Sequence, residues 1–179
     1  MIDRNIIAQN ITNLTDARYF AAWGVSYVSF NTIPDSPYHM TADKVQEIKD
    51  WLEGPKCLIE TNALEFDELA DGHILSNVYS SLPMSKECFY RIDLIELKKG
   101  LPSGKYIIKP DSETQLAEIT AMDGETLQGI DLYIDISDLT ISTIDQLGNF
   151  GLVVQGGEEE AAGVKSFDDL DELYDLLMD

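Results

Sequence analysis

The chain is poor in the residues that most metal and redox chemistry uses. Among 179 residues there are two cysteines, Cys57 and Cys88, and two histidines, His39 and His73. No Cys-x-x-Cys occurs, so there is no zinc-type motif, and nothing in the sequence calls for a metal or a cofactor. Each cysteine falls on a predicted strand and reads as a small buried hydrophobe. Basic residues are scarce too: 12 Lys and Arg stand against 33 Asp and Glu, a formal net charge of −21. A surface this negative repels nucleic acid and anionic membranes, and it opposes phosphorylated ligands unless a local patch reverses the field. No apolar run approaches the roughly 20 residues that a membrane helix needs. The first residues lack the basic-then-apolar pattern of an export signal. The expectation is a cytoplasmic protein with no membrane or nucleic-acid partner.

The acid excess is greatest at the end of the chain. From Glu158 onward nine acids face one cation, Lys165. One reading is a solvated helix face; the other is a docking face for a basic protein partner.

What is present is a regular alternation of short apolar runs and helical patterns. The hydrophobic fraction of 44% and the length suit one domain over residues 1–179. The predicted strands are Ile6–Asn10, Tyr27–Thr32, Lys56–Thr61, His73–Tyr79, Cys88–Leu94, Tyr106–Lys109, Asp131–Ser137 and Leu152–Gln155. Helices are predicted at Ala17–Trp23 behind the capping run Asn13–Asp16, and from Thr41 or Asp43 with Val45, Ile48, Trp51 and Leu52 as the apolar stripe. Others follow at Leu64–Leu69, after Ser112 with Leu116, Ile119 and Met122, at Ile141–Leu147, and at Ser166–Met178. In the last, Ser166 and Asp169 resemble a capping box, and Leu170, Leu173, Tyr174 and Leu177 form the apolar face. Eight strands alternating with helices imply a (β/α)8 barrel, the TIM-barrel fold. Such barrels usually need at least ~200 residues, so the crossovers after strands four and five are predicted to be reduced to loops.

The stretch Ile7–Arg18, reading IAQNITNLTDAR, resembles the opening of the phosphoribosylanthranilate isomerase family. That family begins with Lys-Ile-Cys-Gly-Ile-Thr, then Asn or Ser, two residues, and Asp-Ala. Ile11, Thr12, Asn13, Asp16 and Ala17 match it. Trp23-Gly24-Val25 is similar to the family's helix stop, and Ser29-Phe30 with Ser36-Pro37 to its second strand and Ser-Pro-Arg loop. Gly156-Gly157-Glu158 resembles its last phosphate loop, and Gly163-Val164-Lys165 its Gly-x-Lys-Asp segment. The resemblance implies a barrel that carries out an Amadori rearrangement in tryptophan biosynthesis on a phosphorylated sugar. A general acid opens the ribose ring and a general base removes the C2′ proton.

The resemblance also implies which positions carry that chemistry. The family's base Cys falls on Gln9, whose amide cannot abstract a carbon-bound proton, and the glycine beside it falls on Asn10. The strand-six acid falls near Lys109-Pro110-Asp111. A rival alignment sets Leu132–Asp135 on strand six and makes Asp135 the acid. Gln9, Lys109 and Asp135 are therefore the candidate catalytic positions. The substrate Arg falls on Tyr38. With Arg91, Gln155, Gly156 and Gly157, Tyr38 makes the candidate substrate- and phosphate-binding set. The family's Gly-Gly after strand seven is replaced by Asp135-Ile136-Ser137-Asp138. With Glu158–Glu160 behind the last glycines, the phosphate cradle is reduced.

Polar residues are predicted at the C-terminal strand ends: Gln9, Asn31, Glu60, Asn77, Arg91, Asp93, Lys109, Asp135 and Gln155. They read either as a rebuilt pocket with Lys109 or Asp135 as proton carriers, or as a self-satisfied network. In the second reading Arg91 and Lys109 pair with Asp93, Asp135 or Glu60. The expectation is an isomerase-like barrel with weak or absent activity, or a non-catalytic relative that acts as a binding or partner protein.

Overall fold

Side chains alternate across each strand, and that period of two gives this chain two cores. The computed structural model describes residues 4–62, 68–76, 87–139, 147–156 and 167–178. In chain order the elements are β1 (Ile6–Gln9), α1 (Leu14–Trp23), β2 (Tyr27–Asn31), α2 (Ala42–Asp50), β3 (Lys56–Glu60), β4 (Gly72–Leu75) and β5 (Glu87–Ile92). They continue with α3 (Leu94–Lys98), β6 (Gly104–Ile108), α4 (Glu113–Thr120), β7 (Ile130–Asp135), β8 (Gly151–Gln155) and α5 (Asp168–Met178). Every strand pairs in parallel with its neighbours in sequence, and β8 pairs back onto β1 through Ile6↔Leu152 to Gln9↔Gln155. The sheet is a closed eight-stranded (β/α)8 barrel. Among the described residues no helix is long and apolar enough to cross a membrane.

One residue from each strand fills the barrel interior: Ile7, Tyr27, Leu58, Ile74, Phe89, Ile107, Tyr133 and Val153. The opposite parity faces outward and joins the buried sides of the helices, with Phe30, Ile59, Ile108, Ile134 and Val154 meeting Phe20, Val45, Leu97, Leu116 and Leu173. At the N-terminal end of the barrel Lys105 Nζ is paired with Glu87 Oε1 at 2.7 Å and lies 5.2 Å from the centre of the Phe89 ring. Burial alone would lower the Lys105 pKa, but the hydrogen bond and charge of Glu87 outweigh it and hold the ammonium above its usual range.

Local chemistry starts and stops the helices. Asn13 caps α1 by accepting from the Asp16 N–H at 2.8 Å, so the helix begins at Leu14, earlier than the predicted Ala17. Gly24 ends it in the left-handed conformation, φ 79°. Ser112 caps α4. The first and last helices are joined by aromatic contacts: Tyr19 stacks on Phe167 with ring centres 4.0 Å apart, and Trp23 packs on Tyr174 at 5.2 Å. The Tyr19 hydroxyl donates to Asp171. Burial first, and then that carboxylate, push the phenol well above its usual range.

Two sequence-based expectations are corrected here. The fifth crossover is not a bare loop. Asp93 caps α3 in a capping box: its carboxylate accepts from the Glu96 N–H at 2.7 Å, and Glu96 Oε2 accepts from the Asp93 N–H at 3.0 Å. The crossover is still short, with a five-residue helix. Trp51 does not join the buried stripe of α2. The helix stops at Asp50, and Trp51 turns out as its C-cap, 66% exposed, while Val45 and Ile48 are buried.

The predicted Leu64–Leu69 helix and the connection after strand four lie largely outside the described residues. So do Asn77, most of the Ile141–Leu147 stripe (Leu147 itself is buried) and the Ser166–Asp169 capping box. Cys57 is buried and Cys88 half-buried, and neither is in a disulfide.

Gly151 has a steric role at the barrel floor. A Cβ there would lie 2.4 Å from the Tyr133 ring. Gly151→Ala is expected to destabilise the fold by about 1–3 kcal/mol in urea unfolding. Tyr133→Leu in the same background should recover part of that loss, and additive losses from the two changes would refute the contact as the cause.

Candidate functional site

Two residues beyond the apolar interior set, every position is polar: Ser29 and Ser76 are small, and the six long side chains at the C-terminal end of the barrel are Gln9, Glu60, Arg91, Lys109, Asp135 and Gln155. The same alternation that turns Ile7, Leu58, Phe89 and Tyr133 inward turns Gln9, Glu60, Arg91 and Asp135 inward one layer higher. These four come from β1, β3, β5 and β7, as a barrel layer built from alternate strands requires.

Arg91 ties this layer together. Its Nε donates to Glu60 Oε1 at 2.6 Å and its Nη2 to Glu60 Oε2 at 2.8 Å, a bidentate fork. Nη2 also donates to Gln9 Oε1 at 3.0 Å. The Gln9 Nε2 donates in turn to Asp135 Oδ2 at 2.9 Å. Arg91 Nη1 lies 3.7 Å from the same Asp135 oxygen. The other Asp135 oxygen accepts from the Ser137 N–H at 3.1 Å and the Ser137 hydroxyl at 2.7 Å. Gln9, Glu60 and Asp135 are all buried. Burial would lower the Arg91 pKa, but the Glu60 hydrogen bonds and charge, and then the Asp135 charge, raise it above the usual value. The guanidinium is therefore a fixed cation between two carboxylates, and the layer carries a formal charge of −1.

A second chain of contacts runs around the rim. Gln155 Nε2 donates to the Tyr38 Oη at 2.7 Å, and Gln155 Oε1 accepts from Asn10 Nδ2 at 3.0 Å. Asn10 has a left-handed backbone, φ 57°, the one positive φ of a non-glycine residue among the described residues. That conformation costs a non-glycine residue on the order of 1 kcal/mol. It turns the chain sharply out of β1 at the mouth.

The structure thus brings together Gln9, Tyr38, Arg91, Asp135, Gln155 and Gly156, with Lys109, around one cavity of about 1500 Å³. Gly157 lies outside the described residues. Lys109 is apart from the Arg91 layer. It is half-exposed and paired with Asp138 Oδ2 at 2.8 Å, not with Asp93, Asp135 or Glu60. Asp93 is taken by its helix cap. The rival alignment is overturned as well: Leu132–Asp135 lies in β7, between β6 and β8, so Asp135 ends strand seven and Lys109 follows strand six.

Sequence reading missed the Arg91–Gln9 contact and the Tyr38–Gln155 contact. The Asp93-x-x-Glu96 pattern could have revealed the α3 cap, and with it the loss of Asp93 as a partner. Among the described residues no group of three or more His, Cys, Asp or Glu side chains is placed to hold a metal ion.

No protein-family model matches the sequence, and no curated protein matches it. Solved structures do resemble it. Monomers made from the dimeric phosphoribosylanthranilate isomerase of Thermotoga maritima share 15% identity with this chain, cover 97% of each chain and superpose with a TM-score of 0.73. The Thermus thermophilus enzyme shares 17% identity, with 97% and 98% coverage and a TM-score of 0.70. A phosphoribosylanthranilate isomerase in complex with reduced 1-(o-carboxyphenylamino)-1-deoxyribulose 5-phosphate shares 14% identity over 98% of both chains, with a TM-score of 0.73. At these identities the likeness establishes the barrel fold.

Removing the central cation tests the layer. Arg91→Met should destabilise the protein by about 3–5 kcal/mol, because it leaves two buried carboxylates facing each other. Adding Glu60→Gln should restore part of that loss in the same denaturation assay. The folded Arg91 pKa lies above an already high reference, so its contribution is fully present below that reference and should not vary from about pH 6 to pH 9. A double variant no more stable than Arg91→Met would refute the charge argument.

Proposed function

We propose that this chain is a phosphoribosylanthranilate isomerase-like barrel protein in which the Amadori rearrangement is weak or lost. The observation that carries this reading is the engagement of Gln9. Its amide stands where the resemblance puts the general base, and both ends of it are held, by Arg91 and by Asp135. An amide has no basic lone pair able to take a proton from carbon. The carboxylate nearest to it, Asp135, has both oxygens occupied by Ser137 and Gln9. After β6, where the resemblance puts the general acid, stands Lys109, tied to Asp138. Tyr38 replaces the substrate Arg and accepts from Gln155. Gly156, with Gly157, is what remains of the phosphate loop, and Arg91 and Gln155 are the polar contacts nearest to it in role.

The mutual satisfaction of the mouth also favours a second reading, a non-catalytic binding or partner protein of the cytoplasm. In that reading the exposed acids of α5 (Asp168, Asp171, Glu172 and Asp175) face a basic protein partner.

The test is complementation of a tryptophan auxotroph lacking this isomerase, together with turnover of phosphoribosylanthranilate by the purified chain. No growth at normal expression is expected. Turnover should lie at least ~10²-fold below that of an isomerase with its acid and base intact, the low end of what positioned acid–base groups supply. Growth at normal expression would overturn the loss of activity.

A further inference from the structure

The floor of the mouth cavity keeps hydrogen-bond donors that no described residue uses. Asn31 ends β2 and is buried, 8% exposed. Its carboxamide oxygen accepts from the Ile33 N–H at 3.0 Å, and its Nδ2 has no acceptor among the described residues. Tyr38 Oη accepts from Gln155, which leaves its own proton uncommitted among the described residues. Arg91 has Nε and Nη2 bound to Glu60 and Gln9, but Nη1 stands 3.7 Å from Asp135, beyond hydrogen-bond reach. All three side chains line the same cavity. These donors face the cavity without a protein acceptor among the described residues, so this surface is suited to acceptor oxygens.

Charge decides what those oxygens belong to. The cavity is lined by seven carboxylates and by two cations, Arg91 and Lys109, each already paired with a carboxylate. The last helix, α5, opens on one of those acids, Asp168, which opposes an anion at that end. A phosphate would enter a negative field, and the two cations among the described lining residues are both already paired. A ligand with hydroxyl oxygens and no charge meets the free donors and can donate its own protons to the rim carboxylates.

We propose that the mouth binds an uncharged polyhydroxy small molecule, an unphosphorylated sugar or polyol, with Asn31 Nδ2, Tyr38 Oη and Arg91 Nη1 donating to its oxygens. This rests on the reading above that the mouth is no longer an isomerase site, since an isomerase must hold its substrate's phosphate. The experiment is a nuclear magnetic resonance titration of the full chain with D-ribose, xylitol and D-ribose 5-phosphate, following the Asn31 side-chain amide and the Arg91 guanidinium. D-Ribose or xylitol should move both signals saturably, and D-ribose 5-phosphate should bind at least ~10-fold more weakly at low salt. Asn31→Ala and Tyr38→Phe should each weaken the response by about threefold to tenfold in a chain that remains folded, as read from the dispersion of its amide signals.

Three outcomes overturn the proposal: no saturable shift with either neutral ligand, equal or tighter binding of D-ribose 5-phosphate, or a response unchanged in both variants. None of them touches the loss of isomerase activity, which only turnover or growth can refute.

Discussion

The structure depends on one half-buried guanidinium. Arg91 reaches from β5 across the top of the barrel and holds Glu60 of β3 by a bidentate fork, Gln9 of β1 by its carbonyl, and the Asp135 charge of β7 at 3.7 Å. A carboxylate removed from water must be paired, and here two carboxylates share one cation. The amide of Gln9 makes that sharing possible. It accepts from the cation at one end and donates to Asp135 at the other. A thiol could do neither job as well, having one weak donor and one weak acceptor at a single atom. Gln9 thus completes the hydrogen bonding of the mouth.

The interior below is packed with aliphatic and aromatic side chains, and the solvent-facing rim lies above, so the Arg91 layer is the boundary between a packed core and a cavity. That boundary explains why the mouth is rigid in composition yet open in volume. Its central groups are turned toward one another, and the donors left over belong to Asn31, Tyr38 and one face of Arg91. Those leftover donors, on a negative background, are what the proposed neutral ligand would meet. A structural neighbour has been solved in complex with a phosphorylated ligand; under the proposal above, the carboxylates lining this cavity would oppose a phosphate.

Much of this was legible in the residues. Eight short apolar runs at regular spacing implied eight strands, and the polar residue closing most of them implied a polar mouth. The capping residues Asn13 and Ser112 marked helix starts directly, since a side-chain oxygen before an apolar stripe has few other roles. Less legible were features that depend on where the chain stops. Trp51 fits the helical period of α2, yet the helix ends one residue earlier and the ring turns to solvent. Asp93 looked like a charge at a strand end, but it is the cap of a helix too short to announce itself by periodicity.

The sequence by itself determined the parity of each strand, and hence that Gln9, Glu60, Arg91 and Asp135 all point into the barrel. Period two is a property of the local backbone and needs no partner. Only closure of the barrel decided the partners. Residues 82 and 126 positions apart in the chain, Arg91 and Asp135 relative to Gln9, meet because β1 sits beside β8 and opposite β5. Which carboxylate each cation takes depends on that distance across the barrel. Arg91 is inside and long enough to span it, and Lys109, set outside the layer, reaches only Asp138.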